Sequence, residues 1–128
     1  MNDTLHYEWL IEGQVRLVRL RHNLSVATLM SYDWDTIALL DTMAIPLHVI
    51  VDVSELRSFP NLNDCLHTQH IRHPRMGYML TVGVNRSRMM RFFLNAIGRA
   101  TRVRYQDFDD LEAAIAFLEE HALLSKAV

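Results

Sequence analysis

The apolar run at residues 47–51, with the sequence LHVIV, constrains the fold of this chain more than any other feature. Three of its five residues are β-branched, and the run is too short for a typical helix. A short apolar run of this kind is typical of a strand that is buried on both faces of a sheet. The sequence therefore predicts a central strand that ends at Asp52, where the chain enters a surface turn.

The segments on either side of this run predict the rest of the fold. Two alternating runs at 7–11 and 15–21 are separated by Gly13 and Gln14, a pattern that indicates an antiparallel hairpin. Strands and helices then alternate, which favours parallel strands joined by right-handed crossovers. We expect an α/β fold with a mixed five-stranded sheet that opens with an antiparallel hairpin and has four helices packed mainly on one face. The remaining predicted strands are 78–84 and 103–105, and the predicted helices are 25–44, 61–73, 86–96 (ended by Gly98) and 109–121.

The spacing of apolar residues predicts which side of the first helix faces the sheet. Its apolar residues recur at three- and four-residue intervals and should face the core: Val26, Met30, Trp34, Ile37 and Leu40. Its aspartates lie off this stripe and should face water: Asp33, Asp35 and Asp41. In the last helix, Asp109 and Glu112 have the spacing of a capping box.

Length and composition limit the class of protein. A chain of 128 residues fits one domain, residues 1–128, and its net charge of -2 argues against a surface built for nucleic acid or acidic membranes. Cys65 is the single cysteine, so a disulfide within the chain is impossible and a reducing compartment is expected. The first residues lack the basic start and apolar run of a signal peptide, so we predict a cytoplasmic protein.

Motifs for catalysis and metal binding are missing from the sequence. It has no Gly-x-Ser-x-Gly elbow, Walker A loop or Gly-x-Gly-x-x-Gly turn. His67, His70 and His73 follow Cys65 at intervals that drift around a helix, and no second cysteine joins them. We therefore expect no enzyme, no cofactor and no metal site, and we interpret Cys65 as a small buried apolar residue.

Residues 47–56, LHVIVDVSEL, resemble the signature of STAS domains, in which an apolar central strand ends in Asp-x-Ser. The Asp-x-Ser-x-Leu-x-x-Phe-Pro pattern at 52–60 and the stretch RHPRMG at 72–77 are similar to bacterial SpoIIAA-like (anti-anti-sigma-like) proteins. The resemblance covers nearly the whole chain, because the order of the predicted elements matches as well.

The resemblance implies a non-enzymatic protein-interaction or regulatory module in signalling, with a regulator of the anti-sigma type as its protein partner. Family members that switch partners carry a phosphorylated serine at the start of the second helix, where this sequence has Pro-Asn-Leu-Asn at 60–63. The phosphoserine switch is therefore not expected. The contact surface should be the loop at 54–61 with the adjoining helix faces, and the candidate partner-binding residues are Asp52, Ser54, Ser58 and Asn61.

The segment from 86 to 104 contains six arginines and no acidic residue. Along the predicted helix, Arg88, Arg91, Asn95 and Arg99 form one stripe. This stripe is interpreted either as an anion-binding face or as a solvated face balanced by the acidic last helix. No aromatic residues interleave with the arginines on the exposed stripe, so nucleic acid is not expected as a ligand. The candidate anion-binding residues are Arg86, Arg88, Arg91 and Arg99.

The apolar run at 89–94, MMRFFL, has more apolar residues than one buried stripe needs. Either the helix is buried on two sides, or Phe92 or Met90 is exposed and marks a homodimer face or a ligand pocket. The run also supports an alternative function, the binding of a hydrophobic or lipid-like anionic small molecule with its head group on the arginines. That alternative requires an elongated apolar cavity of roughly 300 Å³ or more.

Overall fold

Strands and helices alternate after an opening hairpin in the computed structural model, which describes residues 4–84 and 88–123. The strands are β1 (Leu5–Ile11), β2 (Val15–Asn23), β3 (Leu47–Ser58), β4 (Met76–Val82) and β5 (Arg104–Phe108). The helices are α1 (Val26–Leu40), α2 (Leu62–Leu66), a 3₁₀ helix (His70–Arg72), α3 (Arg88–Thr101) and α4 (Leu111–His121). The five strands lie side by side in chain order; β1 is antiparallel to β2, and every other pair is parallel. The predicted fold class is confirmed.

Strand β3 occupies the centre of the sheet, as the LHVIV run predicts. Its residues Leu47 and Ile50 are fully buried. Val49 packs in a cluster with Leu40 of α1, whereas Ile50 packs with Leu118 of α4. Because successive side chains of a strand point to opposite faces, these two clusters lie on opposite sides of the sheet.

The helices of the three crossovers share one face of the sheet. α1 packs beside Val49, and α2, the 3₁₀ helix and α3 pack beside Val51 and Met79, which belong to that face. The three crossovers all step in the same direction across the sheet, and right-handed connections then place their helices on one side. α4 follows the last strand and covers the other face.

The end of β3 differs from the prediction. The loop expected at 54–61 is strand as far as Ser58, because β3 continues to pair with β2 through two register shifts, up to Asn23 and Ser58. Pairing with β4 ends at Asp52. Residues 21–23 and 54–58 therefore extend beyond the rest of the sheet as two paired strands, which we call the β2–β3 ribbon. Extra residues at bulges disturb the two-residue alternation, so the sequence pattern does not show this extension.

The stripe predicted for α1 is only partly right: Leu40 is buried as expected, but three other residues are placed wrongly. Trp34 is 74% exposed and Val26 is 43% exposed, whereas Asp33, which should face water, is only 6% exposed. The buried side of α1 carries Tyr32, Asp33, Thr36 and Leu40. Burial of Asp33 is possible because its carboxylate accepts hydrogen bonds from the segment around the 3₁₀ helix, and this contact fixes the rotation of α1 on the sheet.

The bounds of the first two helices also change. α1 ends at Leu40 rather than at residue 44, and the helix expected at 61–73 is a short α2 followed by the separate 3₁₀ helix. Asn61 caps α2, because its Oδ1 accepts a hydrogen bond from the Asp64 amide at 2.9 Å. The break after α2 places the Gln69 and His70 amides against Asp33.

Two later predictions are wrong for local reasons. α3 continues through Gly98 to Thr101, and a Cβ on Gly98 would lie 3.1 Å from the Tyr105 Cβ, so the glycine permits close packing of helix and strand. The N-cap of α4 is Asp110, not Asp109, and its Oδ1 accepts a hydrogen bond from the Ala113 amide at 2.9 Å. Because the third residue after this cap is alanine, the capping box with Glu112 does not form.

None of the helices within residues 4–84 and 88–123 combines the length and apolarity that a membrane crossing requires.

Candidate interaction surface and cavity

The four candidate partner-binding residues lie at one end of the sheet, and each has a structural partner. Asp52 is half-buried, and its Oδ1 accepts hydrogen bonds from the Ser54 amide at 2.9 Å and the Ser54 hydroxyl at 2.7 Å. Ser58 is exposed and donates to Asn23 Oδ1 at 2.7 Å across the β2–β3 ribbon. Asn61, also exposed, caps α2. These side chains shape this end of the sheet through contacts within the chain.

Gly83 brings the chain that leaves β4 over Ser54. It has φ +86°, and a Cβ at this position would lie 2.7 Å from both the backbone nitrogen and the Cβ of Ser54. Only glycine fits such a close backbone approach in this conformation. Gly83, which directly follows β4, therefore lies against the beginning of the ribbon.

The predicted arginine stripe is found on the outer side of α3. Arg88, Arg91 and Arg99 are all exposed, while Arg86 lies outside the described residues. Arg91 Nε lies 3.0 Å from Asp107 Oδ2 on β5, so this arginine is balanced by a neighbouring strand rather than by the last helix. Arg88 and Arg99 lie at opposite ends of the helix and do not converge on one anion.

An aromatic side chain is exposed within this stripe. Phe92 is 73% exposed and, together with Asn95 and Arg99, lines a shallow groove on α3. Met90 instead turns inward and lines a cavity. From the sequence, either Phe92 or Met90 is expected to be exposed, and in the structure the exposed residue is Phe92.

The cavity that Met90 lines lies between the sheet and the helices α1, α2 and α3. Its volume is about 120 Å³, well below the roughly 300 Å³ required for a lipid-like ligand. For comparison, an engineered cavity of about 150 Å³ lined by apolar side chains binds benzene. Its walls are mainly apolar and include Val51, Met79, Phe93, Leu94 and Ile97.

His70, one member of a buried acid–histidine pair, lines the cavity together with the polar residues Thr68 and Thr81. His70 Nδ1 lies 2.6 Å from Asp33 Oδ1, and the same carboxylate accepts the backbone amides of His70 at 2.8 Å and Gln69 at 2.9 Å. Burial alone would raise the pKa of Asp33, but hydrogen bonds from the His70 ring and from the two amides outweigh it and lower that pKa. Tyr32, whose ring meets the His70 ring edge-on, has its pKa raised to about 12 by burial.

Sequence reasoning missed this pair. The sequence offers His70 only as a possible metal ligand, and helical spacing puts Asp33 on the solvent side. No spacing rule connects two positions that lie 37 residues apart. The sequence gives only a weak indication that Asp33 is buried. Asp33 directly follows Tyr32, in a helix whose apolar residues do not all fit one stripe.

Cys65 also lines this cavity, and its environment does not favour reactivity. It is half-buried, and burial, followed by the negative charge of Asp64, raises its pKa to about 11. Within the described ranges, no group of three or more histidine, cysteine or acidic side chains is arranged to hold a metal ion.

The sheet order, the opening hairpin and the placement of the helices define an α/β protein with a SpoIIAA-like fold. The chain is similar to an uncharacterised protein of the DUF3478 family from Shewanella loihica PV-4, whose 2.25 Å crystal structure has this fold. The TM-score is 0.67 over 89% of this chain and 91% of that chain, with 13% sequence identity. No family model matches the sequence, and no curated protein matches it. The likeness therefore establishes the fold.

Proposed function

We propose that this chain is a non-enzymatic interaction module of STAS type that binds an acidic protein partner through the outer side of α3. The observation that carries the proposal is Phe92, which is 73% exposed within an arginine-bearing helix face. Aromatic and arginine side chains dominate the binding energy of protein interfaces. A partner with an apolar pocket and an acidic rim would bury the Phe92 ring and pair with Arg88 and Arg99.

The β2–β3 ribbon extends this surface. Phe59 directly follows the ribbon, and its ring packs against Phe93 of α3 at a centroid distance of 4.4 Å. Ser58 and Asn61, which flank this contact, are exposed. The proposed surface thus includes the strand end that the STAS resemblance assigns to partner binding. Because Asn61 and its neighbours supply no serine at the start of α2, binding would not be controlled by phosphorylation there.

The chemistry of the described side chains supports a binding role over a catalytic one. Cys65 has a raised pKa, which disfavours the nucleophilic thiolate. The buried His70 is already paired with Asp33, and no serine or threonine hydroxyl is hydrogen-bonded to it among the described residues. Covalent catalysis requires a nucleophile activated by an adjacent base, a lowered pKa or a metal, and neither Cys65 nor His70 meets this requirement.

The test is affinity capture from the native host with the full chain as bait, followed by mass spectrometry. We expect an acidic protein whose recovery is lost with Phe92→Ala, since truncation of a central aromatic residue weakens binding by about 2 kcal/mol or more. Trp34→Ala is the matched control, because Trp34 is equally exposed but lies on α1. Unchanged recovery with Phe92→Ala, or equal loss with Trp34→Ala, would refute the assignment of the surface.

A second copy of the chain is the other protein that could occupy this surface. Light scattering of the wild type and of Phe92→Ala distinguishes the cases. A dimer that dissociates on substitution would assign α3 to self-association, whereas a wild-type monomer leaves the surface free for the acidic partner.

A second candidate function is the binding of a small apolar molecule in the cavity. The cavity, with a volume of about 120 Å³, has room for a ligand with a single ring or a short chain but not for a lipid-like molecule. Asp33 engages the Nδ1 of His70, which leaves Nε2 as the hydrogen-bonding atom of the ring for a ligand hydroxyl. We therefore expect phenol to bind about tenfold more tightly than benzene, the difference that one net hydrogen bond provides.

This candidate is tested by titrating both compounds while recording the NMR signals of cavity-lining methyl groups. Ile97→Phe, which places a larger side chain in the cavity wall, should abolish binding of both compounds. Binding that persists in this variant, or the absence of saturation with either compound, would exclude the cavity as a ligand site.

A further inference from the structure

A second cleft lies on the face of the sheet that α4 covers, at the N-terminal ends of the parallel strands. Its volume is about 200 Å³. His48 of β3, Tyr78 of β4, Arg104 of β5 and His121 at the end of α4 contribute polar walls. Apolar walls come from Ile45, Pro46 and Ala122. The cleft shares no lining residue with the apolar cavity or with the groove on α3.

His48 is held as a hydrogen-bond donor in this cleft. The residue is 6% exposed, and the Tyr78 amide donates to its Nδ1 at 3.0 Å. Burial, together with the nearby charge of Arg104, lowers the pKa of His48, so the ring is neutral at neutral pH. A neutral ring that accepts at Nδ1 carries its hydrogen on Nε2, which is therefore a donor.

The backbone of β4 is adapted to this ring. A Cβ on Gly77 would lie 2.4 Å from His48 Nδ1 and 2.6 Å from its Cε1. The glycine thus leaves space for the imidazole to lie against the strand beside Tyr78. Any larger residue at position 77 would displace the ring and remove the Tyr78 hydrogen bond that sets its tautomer.

Arg104 supplies the charge. Its guanidinium carbon lies 4.5 Å from the centre of the Tyr78 ring, a cation–π contact that orients the guanidinium at the cleft. The Tyr78 ring is itself held edge-on by Phe117 of α4 at 5.1 Å. Among the residues that the structure describes, no carboxylate forms an ion pair with Arg104. The guanidinium therefore offers its paired N–H groups to an external anion.

We propose that this cleft binds a small monocarboxylate. A planar carboxylate matches the guanidinium fork of Arg104, and the His48 Nε2–H provides a second donor. The apolar walls and the volume suit a hydrocarbon part about the size of one ring. α4 ends at His121, and the partial negative charge of a helix C-terminus opposes a doubly charged phosphate more strongly than a singly charged carboxylate.

The test is an NMR titration of the full chain with sodium benzoate, with benzamide as the uncharged ligand of the same shape. We expect saturable shifts of the Tyr78 amide and the His48 ring, with a Kd on the order of 1 mM. Arg104→Gln should weaken benzoate binding at least about tenfold, because it removes a charge-assisted hydrogen bond. Arg72→Gln is the control, since Arg72 is exposed and lies on the opposite face of the sheet.

Three results would overturn the proposal. The first is benzamide binding as tight as benzoate binding, and the second is an unchanged Kd for benzoate in Arg104→Gln. The third is a set of benzoate-induced NMR shifts that do not saturate below roughly 20 mM, far above the Kd expected for this site. Inorganic phosphate that binds more tightly than benzoate would overturn the assignment to a monocarboxylate. Because Arg104 is exposed, its substitution should leave the fold intact, and the amide spectrum reports this directly.

Discussion

Replacement of Asp33 by alanine should destabilise the protein more than any substitution of a surface residue. The carboxylate accepts hydrogen bonds from three donors: the amides of Gln69 and His70 and the His70 ring. A buried donor left without a partner costs about 1–3 kcal/mol. Water can reach the exposed Gln69, so two buried donors on His70 lose their partner, and we expect a loss of about 2–6 kcal/mol.

The assay is urea unfolding of the wild type, Asp33→Ala and the control Asp35→Ala at pH 7. Asp35 lies on the same helix and is exposed, so its substitution should change the free energy of unfolding by less than about 0.5 kcal/mol. A loss below about 1 kcal/mol for Asp33→Ala, or equal losses for the two variants, would show that this pair does not fix α1 on the sheet.

The same contact makes a prediction about pH. The pKa of Asp33 is lower in the folded protein than its ordinary value of 3.8. The folded state therefore binds fewer protons at this site, and the associated stability is present above about pH 4 and is lost as the pH falls through the folded pKa. The stability difference between wild type and Asp33→Ala should shrink across this acid range. A difference that stays constant down to about pH 2 would contradict the charged hydrogen-bonding role.

Three further predictions concern single residues. Gly83→Ala should destabilise the protein far more than Gly13→Ala. Both glycines have positive φ, but a Cβ at Gly83 would lie 2.7 Å from the Ser54 backbone, whereas a Cβ at Gly13 would have nothing within 4 Å. Equal losses of stability in urea unfolding would contradict this reasoning. Cys65, with a pKa of about 11, should react with iodoacetamide far more slowly than a free thiol at pH 8, and the rate should reach the free value only in urea. Tyr32 has a pKa of about 12 in the folded protein, so its hydroxyl loses a proton at lower pH in the unfolded state. The free energy of unfolding should therefore fall by roughly 1 kcal/mol per pH unit above pH 10. If Tyr32→Phe shows the same dependence on pH, Tyr32 is not its cause.

The order of elements and the central position of β3 could be predicted from local patterns in the sequence. A β-branched apolar run can be buried on both faces only in a covered sheet, and strand–helix alternation leaves few topologies. Exposure of the α3 arginines followed in the same way from helical spacing. These inferences succeed because each depends on neighbours within a few residues along the chain.

The rotation of α1, the extension of β3 and the two cavities were decided by contacts between distant residues. Asp33 is buried because the backbone amides of Gln69 and His70 donate hydrogen bonds to it. The spacing of residues within α1 does not indicate this contact. His48 becomes a fixed donor only where Gly77 and Tyr78 of the next strand meet it. Local sequence thus determined which elements form, whereas the pairing of polar groups across elements decided which faces are buried, because a buried polar group is tolerated only where tertiary structure supplies its partner.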